Sequence, residues 1–247
     1  LSAEWMYAYD WSQLRTKSFK AGMAFYNLSG GYKTVASEIS VGNRQDTRTV
    51  MNALLRYEKT FNRKHTVNAL AGYSEEEYAY FFENGYRKNL INNSQPELNL
   101  GDVATQTNNS GREELGLQSF FGRIGYIYAD KYLFEANVRY DGSSRFGDGH
   151  KWGTFPSFSI GWRTSEEKFM QNIKWLTNLK IRASWGKLGN QNINSYYAAI
   201  NVLSTGNNYS LAGNLKPGVA TTSLANTGTK WETCLLYTSP SPRDKRQ

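Results

Sequence analysis

The alternation of apolar and polar side chains constrains this chain more than any other feature of its sequence. In the stretch KYLFEANVRYDG, residues 131–142, one parity carries Tyr132, Phe134, Ala136, Val138 and Tyr140. The other parity carries Lys131, Glu135, Asn137, Arg139 and Asp141, with Leu133 as its one apolar residue. A period of two predicts a β-strand with one apolar and one polar face. The apolar face must meet either the core of a soluble protein or lipid.

The same alternation recurs along the chain and predicts further strands. It occupies residues 47–61, 65–73, 118–128, 152–163 and 179–187, and EWMYAYDW near the start already fits it. The connections differ in length. Short ones are predicted at 62–64 and 129–131, a medium one with a possible short helix at 164–178, and long ones at 79–116, 142–151 and 189–229. This order predicts an antiparallel meander with one plain rim and one elaborate rim.

Composition excludes several classes of function. Mean hydropathy is −0.63, and no stretch reaches the 18 or so apolar residues of a transmembrane helix. The net charge of +8 is spread along the chain, so we expect no nucleic-acid partner. With one cysteine, Cys234, and two distant histidines, His65 and His150, we expect no metal site and no cofactor. No catalytic motif is recognisable, and we expect no enzyme activity.

Strand length and charge placement favour a transmembrane β-barrel over a soluble sandwich. Strands of ten or more residues match a tilted crossing of a bilayer, whereas soluble strands average about 5–6 residues. Four arginines lie on the polar parity: Arg56, Arg123, Arg139 and Arg182. An arginine facing lipid near the midplane costs about 2–4 kcal/mol, so exchanging the two faces would cost roughly 8–16 kcal/mol for these four. Aromatic residues concentrate toward the strand ends, as in interfacial girdles.

Four sequence blocks carry a resemblance to a known family. KHTVNALAGY, RYDGSSRFG, FPSFSIGWR and LKIRASWGKLGN occur in this order, and TKWET follows at 229–233. Together they resemble the SusC/RagA family of TonB-linked outer-membrane transporters. The resemblance implies a large barrel of about 22 strands that encloses a plug domain. It also implies a SusD-like surface lipoprotein partner, energy from a TonB complex, and glycan or peptide substrates.

These observations give the following expectations. Residues 1–233 form an all-β, antiparallel transmembrane meander, about eight to ten strands of a larger plugged barrel. No plug or TonB box is recognisable, so we expect a piece of a longer protein. Residues 234–247, CLLYTSPSPRDKRQ, are expected to be a non-native tail, because they resemble a translated sequencing adapter and Pro240 and Pro242 would interrupt a strand.

The expected function is import across the outer membrane, by binding and gating. Arg123, Glu135, Arg139 and Arg182 are predicted to line the lumen, and Tyr196 and Tyr197 to contact substrate from a loop. Two alternatives remain open at this point. One is a passive porin or structural outer-membrane barrel, and the other is a soluble carbohydrate-binding β-sandwich.

Overall fold

The computed structural model of the chain describes residues 1–26, 28, 30–170, 176–193 and 195–238. Its regular structure is almost entirely β. The strands are β1 (Ser2–Lys20), β2 (Met23–Tyr26), β3 (Tyr32–Val35), β4 (Glu38–Phe61), β5 (His65–Lys88), β6 (Thr107–Tyr128), β7 (Tyr132–Ser143), β8 (Trp152–Arg163), β9 (Lys180–Asn190), β10 (Val202–Thr205), β11 (Tyr209–Leu211), β12 (Asn214–Lys216), β13 (Val219–Ser223) and β14 (Glu232–Thr238). Single turns of 3₁₀ helix occupy Leu98–Leu100, Val103–Thr105 and Thr164–Glu166. The predicted all-β class is confirmed.

One large sheet organises these strands. Its eight members follow the order β1-β4-β5-β6-β7-β8-β9-β14, and the short strands form the pairs β2/β3, β10/β13 and β11/β12. The pairs β6/β7, β7/β8, β8/β9 and β9/β14 are antiparallel. From β4 to β9 each strand neighbours the next one in sequence, so the predicted meander is confirmed. Among the described residues, no helix has the length and apolar content needed to cross a bilayer.

Two tight turns join the strands at the predicted short connections. Asn62 and Arg63 have φ of 49° and 54°, and Ala129 and Asp130 have φ of 50° and 56°. Lys64 N donates to Phe61 O at 3.1 Å, and a bond of the same type closes the second turn. Positive φ at both central residues defines a type I′ turn, whose twist matches that of paired strands. These turns fix the register of the strands that they join.

The register separates two faces of the sheet. Tyr126 pairs with Phe134, Phe134 with Ile160, and Ile160 with Ala183, so the apolar residues of β6–β9 share a face, here called the apolar face. Its members remain accessible: Val138 is 46% exposed and Ile160 is 58% exposed. The opposite side is here called the polar face. A soluble sandwich covers its apolar face with a second sheet, and no sheet formed by the described residues covers this one.

Buried apolar residues lie elsewhere and are few. In the described residues they are Ile39, Phe146 and Phe155, with exposures of 0%, 1% and 7%. Phe155 belongs to the polar face, because it pairs with Arg139. Phe146 follows β7 in the loop that leads to β8. The packed centre of this region is therefore at the loop end of the strands, on the polar side of the sheet.

The chain divides into two compact units. One comprises Leu1–Tyr7, Val50–Glu76 and Leu115–Gln247, and the other comprises Ala8–Thr49 and Glu77–Glu114. In the second unit polar side chains are paired: the Arg44 guanidinium donates to both oxygens of Asp46, at 2.7 and 2.8 Å. Tyr78 OH donates to the same carboxylate at 2.6 Å, and Lys17 pairs with Glu97 at 2.6 Å. Such pairs belong to an aqueous surface rather than to lipid contact.

Three segments predicted as loops contain more or different structure. The connection predicted at 79–116 is shorter, because β5 continues to Lys88 and β6 begins at Thr107. Strand pairing continues there while the apolar alternation fades, as expected where both faces meet water. The segment 189–229 contains the four short strands β10–β13. The possible helix at 164–178 is a single 3₁₀ turn, and residues 171–175 lie outside the described part of the chain.

Candidate functional site

The four charged residues predicted to line a lumen lie on one face of the sheet. Arg123 pairs with Asn137, which shares its parity with Glu135 and Arg139 on β7. Gly161 on β8 pairs with Leu133, which has the same parity on β7, and Arg182 on β9 pairs with Gly161. Arg182 therefore lies on this face as well. The shared face agrees with the sequence parity. That this face lines a channel stays a prediction.

Arg139 is held by a network of neighbours. Its guanidinium donates to both oxygens of Asp141, from Nη2 at 3.0 Å and from Nε at 3.3 Å. Nη2 also donates to Ser119 Oγ at 3.2 Å, and the guanidinium carbon lies 5.1 Å from the centre of the Phe121 ring. A bidentate carboxylate and a ring face fix the plane of the guanidinium. Arg139 is therefore oriented before any ligand arrives.

The other three charged residues are less constrained. Glu135 accepts a hydrogen bond from Asn137 Nδ2 at 3.1 Å. Arg123 and Arg182 form no side-chain hydrogen bond or ion pair with any residue that the structure describes. The structure thus brings Arg139 into a cluster, but it does not bring all four residues into one site.

A polar recess of about 340 Å³ surrounds Arg139 and Asp141. Hydroxyl, carboxyl and amide groups line it, from Ser74, Glu76, Ser119, Asn190 and Gln191, with the indole of Trp231 at one side. Gln191 Oε1 is buried and has no hydrogen-bond partner among the described residues. These groups can bind a ligand rich in hydrogen-bond donors. They do not include a nucleophile paired with a base, and the described residues hold no cluster of three potential metal ligands.

An aromatic cluster supports this recess, and the sequence analysis missed it. The Trp231 ring is 5.3 Å from Phe146 and 5.2 Å from Phe155, and its Nε1 donates to Lys151 O at 2.9 Å. Phe155 lies over Gly189, where a β-carbon would overlap its ring. The signal in the sequence was an aromatic residue on the polar parity of β8, next to serines and glycines.

The two tyrosines predicted to contact substrate lie in the segment that follows β9. Arg145 covers the ring of Tyr196, with its guanidinium carbon 4.7 Å from the ring centre, and donates to Ile193 O at 2.7 Å. Tyr197 N donates to Ser195 Oγ at 3.0 Å. Both tyrosines are partly buried, so Tyr196 offers one ring face at most to a ligand.

Two carboxyl groups in the connections have lowered pKa values. The Lys151 ammonium donates to Asp148 at 2.7 Å and lowers the pKa of that carboxyl. At the opposite rim, a hydrogen bond from Tyr132 OH at 2.7 Å is the main cause of the lowered pKa of Glu167, and Lys131 adds to it. The Asp148–Lys151 pair lies within the loop that leads to β8, whereas Glu167 joins the connection after β8 to the start of β7.

Known proteins share this sequence and this fold. The family described as TonB dependent receptor-like, beta-barrel matches residues 1–233. A TonB-dependent receptor of Formosa agariphila is 32% identical over 224 residues, which is 90% of this chain and 22% of that protein. The TonB-dependent receptor SusC of Bacteroides thetaiotaomicron is 43% identical over 93 residues, 38% of this chain and 9% of SusC. The chain thus spans about a fifth or less of these relatives.

A solved structure of the RagAB peptide importer in its closed-closed state has the same fold. It matches with a TM-score of 0.83 and 23% identity over 95% of this chain and 25% of the importer chain. The expected partial barrel is confirmed by this likeness and by the eight-stranded sheet.

The family match ends at Thr233, whereas β14 continues to Thr238 and pairs with β9. The non-native origin of residues 234–247 stays a prediction, and Pro240 and Pro242 lie outside the described residues. The match over residues 1–233 covers most of the chain. This chain belongs to the TonB-dependent receptor-like β-barrel family.

Proposed function

We propose that this chain is a segment of the barrel wall of a TonB-dependent importer in the outer membrane. In the complete receptor it would take up glycans or peptides together with a SusD-like surface lipoprotein. The work of this wall is binding and gating, not bond chemistry. Family membership supports the proposal, as does the likeness in fold to a peptide importer.

The apolar face carries the proposal. Its side chains stay about half exposed, while Arg123, Glu135, Arg139 and Arg182 lie on the other face. Burying an exposed leucine-sized side chain stabilises a soluble protein by about 1.5–3 kcal/mol, so a soluble fold would not leave a whole face of such residues open. In a bilayer these side chains would contact lipid instead of water, so their exposure would carry no free-energy penalty.

The polar face supplies the wall of the channel in this proposal. Arg123, Glu135, Arg139 and Arg182 would meet water in the lumen, and the recess at Arg139 would contact passing substrate. Tyr196 and Tyr197 would contact substrate from the loop. Substituting each tyrosine by alanine in the complete receptor, and comparing the substrate affinities, tests this last assignment.

Cysteine labelling tests which face meets lipid. In the complete receptor, with its native cysteines replaced by serine, single cysteines replace Ile160 on the apolar face or its neighbour Ser159 on the polar face. Spin labels at the two sites are compared for relaxation by oxygen, which enriches in lipid, and by a water-soluble nickel complex. We expect oxygen to relax the label at 160 more strongly than the nickel complex does, and the reverse at 159. Stronger relaxation of the label at 160 by the nickel complex than by oxygen would show that the proposal is wrong.

Uptake separates the importer from a passive porin. The gene is deleted in the source bacterium and restored, and entry of a labelled oligosaccharide and a labelled oligopeptide is followed with and without active TonB. We expect uptake of one of the two probes to require both the gene and TonB. Uptake that needs the gene but persists without TonB would identify a porin instead.

A further inference from the structure

A second recess, of about 310 Å³, opens where β8, β9 and β14 end. Lys187, Lys230 and His150 contribute its basic groups, and Thr154 and Thr233 contribute hydroxyls. No acidic residue lines it. The carboxylates that are near in sequence have other partners, since Asp148 pairs with Lys151 and Glu232 accepts from Asn190.

The basic groups of this recess lack partners of their own. Neither Lys187 nor Lys230 has an ion pair or side-chain hydrogen bond within the described part of the chain. His150 Nδ1 is buried and has no hydrogen-bond partner there. Two ammonium groups, a ring nitrogen and two hydroxyls around one cavity form a suitable environment for a phosphate group.

The recess lies at the loop end of the strands and takes its lining from both sides of the sheet. Phe155 and Trp231 come from the polar side, whereas Lys187 and Thr154 have the parity of the apolar face. Lys187 pairs with Leu235 and shares its parity with Trp185, whose ring stacks on Phe158 of the apolar face at 5.0 Å. Thr154 pairs with Tyr140, another residue of that face. On the side of Lys187 and Thr154, a ligand in the recess would reach the exposed side chains of the apolar face.

The position of the recess along the strands matches the level of a membrane–water interface. Trp152 lines it, and Trp162 marks the opposite end of β8, ten residues away. Ten residues tilted by about 40° span roughly 26 Å, close to the apolar band of about 25 Å in outer-membrane barrels. The stacked pair of Trp152 and Tyr140, with 4.7 Å between ring centres, lies at this same end of the strand.

We propose that this recess binds the phosphate group of a membrane lipid whose acyl chains lie along the apolar face. The inference rests on the proposed membrane location. Its occupant combines an anionic head with an apolar tail, because the recess offers basic groups and one of them, Lys187, is two residues from Trp185, which stacks on Phe158 of the apolar face. A phosphate ion alone would leave the apolar part of this surface unused.

Native mass spectrometry of the complete receptor in mild detergent tests the proposal. Dioleoyl phosphatidic acid is the probe, and dioleoylglycerol and inorganic phosphate are the comparisons. The variant Lys187→Gln/Lys230→Gln is compared with the control Lys33→Gln/Lys216→Gln, which removes two exposed charges from short strands elsewhere. At about a fivefold effect per lysine, we expect the first variant to bind phosphatidic acid roughly 25-fold more weakly. The control should match the wild type.

Several results would overturn the lipid site. Unchanged binding by the Lys187/Lys230 variant is one, and an equal loss in the control, which would indicate general charge attraction, is another. Displacement of the lipid by millimolar inorganic phosphate would indicate a site for the free ion. If the double variant does not show the heat-dependent gel migration of a folded barrel, Lys230→Gln alone replaces it, because this loop position is exposed; about fivefold weaker binding is then expected.

A charge-retaining variant and the spin labels serve as two further controls. Lys187→Arg/Lys230→Arg keeps both charges and should retain binding. If labels at 160 report lipid while the glutamine variant binds normally, only the headgroup site fails. If labels at 160 report water, the proposed membrane location itself fails.

Discussion

An arginine at Val138 would test the assignment of the two faces most directly. Val138 is 46% exposed on the apolar face and pairs with Gly122 on one side and Pro156 on the other. Neither neighbour offers a carboxylate, so a new guanidinium there would have no partner across the strands. The variant Val138→Arg would place the charge against lipid.

The depth of Val138 sets the size of the effect. It lies six residues from Tyr132 at the turn end of β7, which is about 20 Å along the strand and about 16 Å across the membrane at a 40° tilt. This is near the middle of the apolar band, where an arginine costs about 2–4 kcal/mol. We expect the free energy of unfolding to fall by that amount.

Ser157→Arg is the matched control. Ser157 pairs with Asn137, next to Val138, and with Gly186, so it has similar depth on the polar face. In water its arginine should cost less than about 1 kcal/mol. Both variants are made in the complete receptor, and the folded fraction is measured across a urea series in phosphocholine vesicles. A loss at Ser157 equal to or larger than that at Val138 would refute the face assignment.

Three further predictions concern single residues. Ala129→Gly should stabilise the receptor by about 1 kcal/mol in the same urea assay, because Ala129 has φ of 50° and glycine adopts this region without strain; a loss of stability would contradict this. Phe146→Ala should lower local stability by about 3–5 kcal/mol, measured as faster amide exchange around Trp231, since Phe146 is 1% exposed; unchanged exchange would argue against the aromatic cluster. The pKa of Glu167 is lowered from its ordinary value of 4.5, chiefly by Tyr132, so its contribution is complete above pH 4.5 and is lost as the pH falls through the lowered pKa. Amide protection at 165–170 should drop in that acidic range, and Glu167→Gln should remove the pH dependence of this protection.

The strands in the membrane could be predicted from sequence because lipid and water impose opposite demands on alternate residues. The period of two around Phe134 and Phe158 follows directly from that requirement. Beyond the bilayer both faces meet water, the requirement disappears, and the extensions of β5 to Lys88 and of β6 from Thr107 were predicted as loop. There, backbone pairing rather than side-chain pattern maintains the strand.

The candidate site was only partly predictable for a related reason. Parity places Arg139 and Asp141 on one face, but it cannot show that Trp231, about ninety residues later, reaches the same region. Contacts between distant loops depend on tertiary packing that has no periodic signal. Lys187 illustrates the same limit, because its position on the apolar parity looks like an exception until the recess around it is known.

The order of the large sheet has a consequence for how such receptors diversify. Strand β1 is next to β4, and β9 is next to β14, so the short strand pairs at residues 23–35 and 202–223 are insertions between neighbours that are already paired. Doubling the length of a flexible connection costs only about 0.6 kcal/mol in closure entropy. Natural selection can therefore lengthen, shorten or exchange these insertions while the strand register stays the same. One wall can in this way carry many different connecting segments.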